Sequence, residues 1–285
     1  MKNIAHRSRF WSIAELSIYV IQLAFIVIQF VAHDLKINWL FYISKPAPTA
    51  LLILLELLIW KKTYNLQGEI PKFTQVLLSI GIILSILGDI CLIQNIGGIT
   101  FGIGTFSFLI GLGCFIIAFY PTKRGYIKGI FIRTMIVMIS CTIITFLIVY
   151  RGAKNSAIDI VGVFLYMTMQ SILVSTFAAQ PQTDQFTKLG LLGASLYCLS
   201  DILVIINHGL KIADQIEGRG DRTLIPLFYY AVMLTYYAAQ FMIAYSVRRW
   251  ENIDSKNNES FSIQSSNNYY QYQPGGQQQT LFYAE

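Results

Sequence analysis

Two aspartates stand where a carboxylate is expensive. Asp89 ends LSILGD (84–89) and is followed at once by ICLI; Asp201 ends LYCLSD (196–201) and is followed by ILVII. A third charge, Lys45, interrupts the apolar stretch FYISKPAPTALLILL (41–55). A carboxyl kept among apolar residues can hold its proton at neutral pH, whereas one beside a lysine stays ionised. Two acids in unlike surroundings therefore suit general acid–base chemistry: one gives a proton, the other offsets the positive charge that results. The same three residues would also suit a proton-coupled transport path, or a Lys–Asp pair that only fixes helix packing.

The elements that must hold them are membrane helices. The chain has 285 residues, 55% hydrophobic and only 13% charged, with a mean hydropathy of +0.55. A soluble domain of this size would carry roughly a quarter charged residues. The shortfall, with apolar runs of about 20 residues, predicts an all-α, polytopic membrane bundle. Eight transmembrane helices are expected, at 11–32, 39–59, 74–94, 100–121, 130–150, 158–179, 187–207 and 224–247. A spanning segment must satisfy its own backbone hydrogen bonds, which makes each of these a helix. The first span is too long for a signal peptide and has no small-residue cleavage site after it, so it is retained as a helix.

Basic residues orient the bundle. With the N-terminus in the cytosol, cytosolic segments hold fourteen Lys and Arg and the opposite side six, which predicts both termini cytosolic. The formal charge of +6 follows from that bias and from basic loops beside anionic lipid, and no nucleic-acid partner is expected. Residues 1–250 form the transmembrane domain. The Ser-, Asn-, Gln- and Tyr-rich remainder, 251–285, is expected to be a disordered polar tail. Cys91, Cys114, Cys141 and Cys198 all fall in spans without CxxC spacing and read as free thiols; no metal or organic cofactor is called for. The endoplasmic reticulum is the default location, since no retrieval or mitochondrial signal is visible.

Depth brings the charges together. Asp89 lies five residues from the end of its expected span, Asp201 six from the end of its own, and Lys45 six after the start of the second. At about 1.5 Å per residue all three sit roughly 8–9 Å below one boundary. A charge at mid-bilayer costs about 2.5–3.5 kcal/mol on insertion scales, so three in one layer should face each other or water. Glu15 and Glu56 are alone in their spans and read as packing or snorkelling residues, and Gly98 and Gly102, at GxxxG spacing, as a close helix contact.

The two halves also look alike. LGDICLI (87–93) matches LSDILVI (199–205), and CFIIAFY (114–120) matches QFMIAYS (240–246), with Phe115 over Phe241 and Ala118 over Ala244. Four spans separate the copies, an even number, which predicts two parallel four-helix repeats.

Five stretches in order, KPAPTALLILL (45–55), SILGD (85–89), FLIGLGCFIIA (108–118), GASLYCLSD (193–201) and YYAAQ (236–240), resemble the YhhN family, the membrane lysoplasmalogenases. The resemblance implies an eight-helix enzyme that hydrolyses the vinyl ether bond of a lysoplasmalogen. The products would be a fatty aldehyde and glycerophosphocholine or glycerophosphoethanolamine. It implies that Asp89 and Asp201 are catalytic. Family members usually follow F-x-x-G-L-x-x-F with Ala-His, and here Phe119 stands in the histidine's place. A catalytically lost scaffold is therefore an alternative, and His208, seven residues after Asp201, is a candidate substitute.

The chemistry suits the residues without the family name. Protonation of the vinyl carbon leaves an oxocarbenium ion; water adds; the hemiacetal collapses to the aldehyde. Lys45 would keep one carboxylate ionised. Tyr236, Tyr237 and Gln240 could bind ether oxygens or the polar head, with Ser85 and Ser200, beside the aspartates, in support.

Overall fold

A computed structural model of the chain describes residues 2–65, 72–94, 97–120, 157–180, 185–217 and 224–248, with short helical pieces between 129 and 143. Among these residues the structure is all helical. α1 spans Lys2–Asp34, α2 Asn38–Ser44, α3 Ala47–Asn65, α4 Lys72–Gln94 and α5 Gly97–Phe119. After them come α6 Ala157–Ala178, α7 Gln185–Glu217 and α8 Leu224–Tyr245, closed by a 3-10 turn at Ser246–Arg248.

Among the described residues, six stretches are long and apolar enough to cross a membrane: Ile13–Asp34, Asn38–Lys61, Lys72–Ile93, Gly102–Phe119, Gln185–Val204 and Pro226–Arg248. A shorter apolar helix, Phe164–Ala178, lies within α6. The expected span at 130–150 falls largely outside the described residues, and the tail at 251–285 wholly so.

Polarity is inverted relative to a soluble bundle. Leu16, Val20, Leu23 and Val27 of α1 and Phe73, Val76, Ile83 and Leu87 of α4 point outward, while Gln29, Thr49, Glu56, Gln170 and Gln240 are buried. Lipid solvates the apolar exterior, so polar groups must find their partners inside.

The second expected span is broken. Proline has no N–H, so Pro46 and Pro48 each remove a helical hydrogen bond, and the helix stops at Ser44 and restarts at Ala47. The Lys45 carbonyl accepts no backbone N–H and instead takes the Tyr237 hydroxyl at 2.7 Å. Gln22 Nε2 donates to the Pro48 carbonyl at 2.8 Å. The break turns one apolar span into a kinked element with Lys45 at its bend.

Glycines bring the aspartate-bearing helices close to their successors. On α4, Gly81 packs against the Phe115 ring of α5, and a Cβ at Gly88 would lie 2.5 Å from the Phe108 ring. On α7, a Cβ at Gly193 would lie 2.8 Å from Met242 Cβ and 3.0 Å from the Ala239 carbonyl of α8. Gly81 and Gly193 each precede their aspartate by eight residues. Each aspartate is also held by the helix before its own, Asp89 by Thr49 and Asp201 by Gln170. At Gly102 the expected GxxxG contact is absent, since nothing lies within 4 Å of a Cβ there, and Gly104 and Gly111 make the close approach to α4; the surroundings of Gly98 lie outside the described residues. The two faces of α5 are set by the Phe108 and Phe115 side chains that reach α4, and Gly102 is on the other.

The first and last helices are joined. Arg248 Nη1 donates to Glu15 Oε2 at 3.1 Å, with only 13% and 8% of the two side chains exposed. Glu15 is thus half of an ion pair rather than a solitary packing residue. Further along, the Tyr19 ring meets Phe241 edge-on at 5.1 Å and Phe30 meets Tyr230 at 5.0 Å.

Candidate active site

Asp89 is 3% exposed and has polar neighbours from two helices and from the bend at Lys45. Its Oδ2 accepts the Thr49 hydroxyl of α3 at 3.2 Å and the Tyr236 hydroxyl of α8 at 3.0 Å. Lys45, 8% exposed, is close enough to feel the charge of Asp89 but makes no direct ion pair with it. The bend at Lys45–Pro46 and the preceding turn of α8 explain this arrangement. Consecutive residues on a helix point about 100° apart, so Tyr236 reaches α4 while Tyr237 reaches α1 and the bend. The Tyr237 hydroxyl lies 2.6 Å from Gln29 Oε1 and 2.7 Å from the Lys45 carbonyl, and its one proton goes to either. Gln29 Nε2 donates onward to the Tyr229 hydroxyl at 3.1 Å. Polar groups of α1, α3, α4 and α8 therefore form one buried network around Lys45 and Asp89.

Asp201 is half-buried and differently held. Gln170 Nε2 of α6 donates to its Oδ2, and Tyr166 is its other polar neighbour. Among the described residues, no cation is one of its close partners. Tyr197, one turn earlier on α7, lies near both acids. Its hydroxyl senses the charge of both Asp89 and Asp201, and its ring lies 5.7 Å from that of Tyr236, which donates to Asp89. The arrangement is two carboxyls in unlike settings, one near a cation and fed by two hydroxyls, the other without a cation, with two tyrosine rings between.

The remaining candidates divide. Tyr236 contacts Asp89 directly, and Tyr237 holds the bend that carries Lys45. Gln240 is 2% exposed, one turn beyond Tyr236, and its Nε2 is buried without an acceptor. Ser85 donates to the Gly81 carbonyl of its own helix at 3.0 Å, and Ser200 donates to the Val232 carbonyl of α8 at 3.1 Å. Both serines thus support helix packing beside the aspartates and touch neither carboxylate. The side chain of His208 lies outside the described residues. Phe119 is fully buried with its ring 4.6 Å from that of Phe177. It sits at the level of Thr74, which donates to the neighbouring Ala118 carbonyl. Thr74 precedes Asp89 by fifteen residues of α4, or about 22 Å of helix; position 119 is at the other end of the bundle from the acids.

Thr49, Gln29, Gln170 and Tyr197 are not evident as site residues from the sequence. A glutamine inside an apolar span is the signal that would have found two of them, for the same reason that flags an aspartate there. Thr49 lies four residues from Lys45, one helical turn away.

The sequence pattern that defines the YhhN family matches residues 40–247. The chain belongs to the YhhN family. The match begins just before the Lys45 bend and ends at the turn carrying Arg248, so it takes in both aspartates, Tyr197, Tyr236 and Tyr237. No curated protein and no solved structure matches the chain. Among the described residues, Cys91 and Cys114 are free thiols.

Proposed function

We propose that this YhhN-family chain hydrolyses the vinyl ether bond of lysoplasmalogens, releasing a fatty aldehyde and a glycerophospho-head group. The observation that carries the reading is the pair of unlike carboxyls, Asp89 and Asp201, set in the apolar bundle and connected through Tyr236 and Tyr197. Such a pair supplies what this bond requires and asks for no cofactor.

Asp201 is the proton donor. Its neighbours Gln170 and Tyr166 are uncharged, and an isolated carboxylate in such surroundings is costly. It gives its proton to the outer vinyl carbon, whose double-bond electrons form the new C–H bond. Positive charge then spreads over the inner carbon and the ether oxygen. Asp89 is the anion that offsets it, with the hydroxyls of Thr49 and Tyr236 donating to its carboxylate and Lys45 nearby. Water adds to the inner carbon, and its proton returns to Asp201. The hemiacetal C–O bond to glycerol then breaks, the glycerol oxygen gaining a proton as the aldehyde forms. Tyr237, by holding the Lys45 bend, positions the cation.

In this reading the lipid enters from the bilayer, and both termini face the cytosol, as the basic bias implies. A glycosylation tag after Glu285 that became modified in the lumen would reverse that orientation. Phe119, remote from the acids, is no obstacle to the chemistry.

The decisive assay is aldehyde release from lysoplasmalogen by detergent-purified protein, normalised to monodisperse material. Asp89→Asn and Asp201→Asn should each lower the rate by about 10²–10⁴-fold, the range of a general acid–base group. A wild-type protein that releases no aldehyde, or an asparagine variant that keeps more than about a tenth of the rate, sinks the proposal. A packing role would instead lower yield and melting temperature while turnover per folded molecule stayed constant.

A further inference from the structure

Among the described residues, two buried polar atoms beside Asp201 have no hydrogen-bond partner. One is the Tyr197 hydroxyl, on a side chain only 1% exposed; the other is Gln170 Oε1, on a side chain fully buried. Ser85 and Tyr166 are the polar neighbours of the Tyr197 hydroxyl, but neither meets it in the geometry of a well-formed hydrogen bond. Gln170 uses its Nε2 on Asp201, which leaves its carbonyl oxygen aimed elsewhere. Buried polar groups in native proteins are almost always satisfied, and an unsatisfied one costs about 1–3 kcal/mol. Two of them next to a carboxyl that is itself only half-buried mark a place for a small polar ligand.

We infer that Tyr197, Gln170 and Asp201 bind the hydrolytic water. The inference rests on the vinyl ether reading and deepens it. A buried water needs two to four polar partners, and these three side chains supply them. The Tyr197 O–H donates to the water oxygen. The water's hydrogens point to Gln170 Oε1 and to the Asp201 carboxyl. Before proton transfer the water waits beside the acid. Once Asp201 has given its proton to the outer vinyl carbon, it is a carboxylate. The water oxygen then forms its bond to the adjacent inner carbon, and its proton passes to Asp201. One carboxyl serves as acid and then as base on neighbouring carbons, and leaves the cycle as it entered. Tyr197 touches the reacting water and is in that sense catalytic; Gln170 both orients Asp201 and holds the water.

This arrangement has a signature separate from rate. When water adds promptly, proton transfer to carbon is never reversed. When the water is displaced, the oxocarbenium ion persists and can return a proton to Asp201. In D2O the substrate recovered part-way through the reaction would then carry deuterium on its vinyl carbon. Tyr197→Phe removes an unpaired hydroxyl and keeps the ring, so the fold should hold. We expect a rate about tenfold lower, from the loss of one hydrogen bond, and deuterium in the recovered lysoplasmalogen by mass spectrometry, against none for the wild type. Gln170→Met, similar in length and without the carbonyl, should show the same exchange. If wild type releases aldehyde but Tyr197→Phe and Gln170→Met give unlabelled substrate, the water site is wrong and the vinyl ether reading stands, whatever their rates. If wild type releases no aldehyde, both fall together.

Discussion

Replacing Tyr236 by phenylalanine isolates one hydroxyl. The ring stays, with its edge contact to Phe108 at 6.1 Å and its tilt against Tyr197 at 5.7 Å, so packing should be little changed. What disappears is one of the two donors to Asp89 Oδ2, at 3.0 Å, leaving Thr49 at 3.2 Å. A hydrogen bond to a charged group contributes about 1.5–3 kcal/mol. If Asp89 must be ionised to offset the oxocarbenium charge, its working form is penalised by that amount. At a tenfold rate change per 1.36 kcal/mol, turnover should drop roughly 10- to 150-fold. The assay is aldehyde release by Tyr236→Phe in the wild-type background and in Asp89→Asn. Because the hydroxyl acts through Asp89, it should matter little once Asp89 is neutral, with a further loss of no more than about threefold. An equal loss in both backgrounds, or an unchanged rate in the first, would refute the assignment of Asp89 as the anion and of Tyr236 as its support.

Two further outcomes follow from the packing. Phe119→His should leave turnover per folded molecule unchanged and lower the melting temperature, because an imidazole replaces a fully buried ring packed on Phe177; a rise in specific activity would show that position 119 communicates with the acids after all. Removing one half of the Glu15–Arg248 pair, as in Glu15→Ala, should destabilise the protein by about 3–5 kcal/mol, while the double variant Glu15→Met with Arg248→Met recovers much of the loss; additive losses in thermal unfolding would mean that the ion pair itself is not the link.

Asp89, Asp201 and Lys45 were visible in the sequence because a charge inside an apolar run has no cheap explanation. The lysine–proline bend could have been read from Pro46 and Pro48, yet 39–59 passes as one apolar span because hydropathy averages over the break. Tyr197 and Thr49 were hidden for a different reason. Neutral polar and aromatic residues are common in membrane helices, and only the helix rotation decides whether they face lipid or each other. The Gly98–Gly102 spacing misled on that account: small residues permit a close contact without saying which face receives one. The Glu15–Arg248 pair joins residues 233 apart, and no local pattern announces it.

The joining of first helix to last also imposes an order on how the site is made. Synthesis runs from α1 to α8, so Lys45 and Thr49 are in place before Asp89 emerges, and a base and a hydroxyl already wait for the first acid. Asp201 likewise follows Gln170. Tyr236, however, comes 147 residues after Asp89, and Tyr237 arrives with it. A nascent chain that stops short of Leu224 contains both aspartates but neither tyrosine, and its Lys45 carbonyl lacks the hydroxyl that ties down the bend. The last helix to be made is thus the keystone of biogenesis: until α8 docks along α1 and α3, the acids are present and the machinery is not.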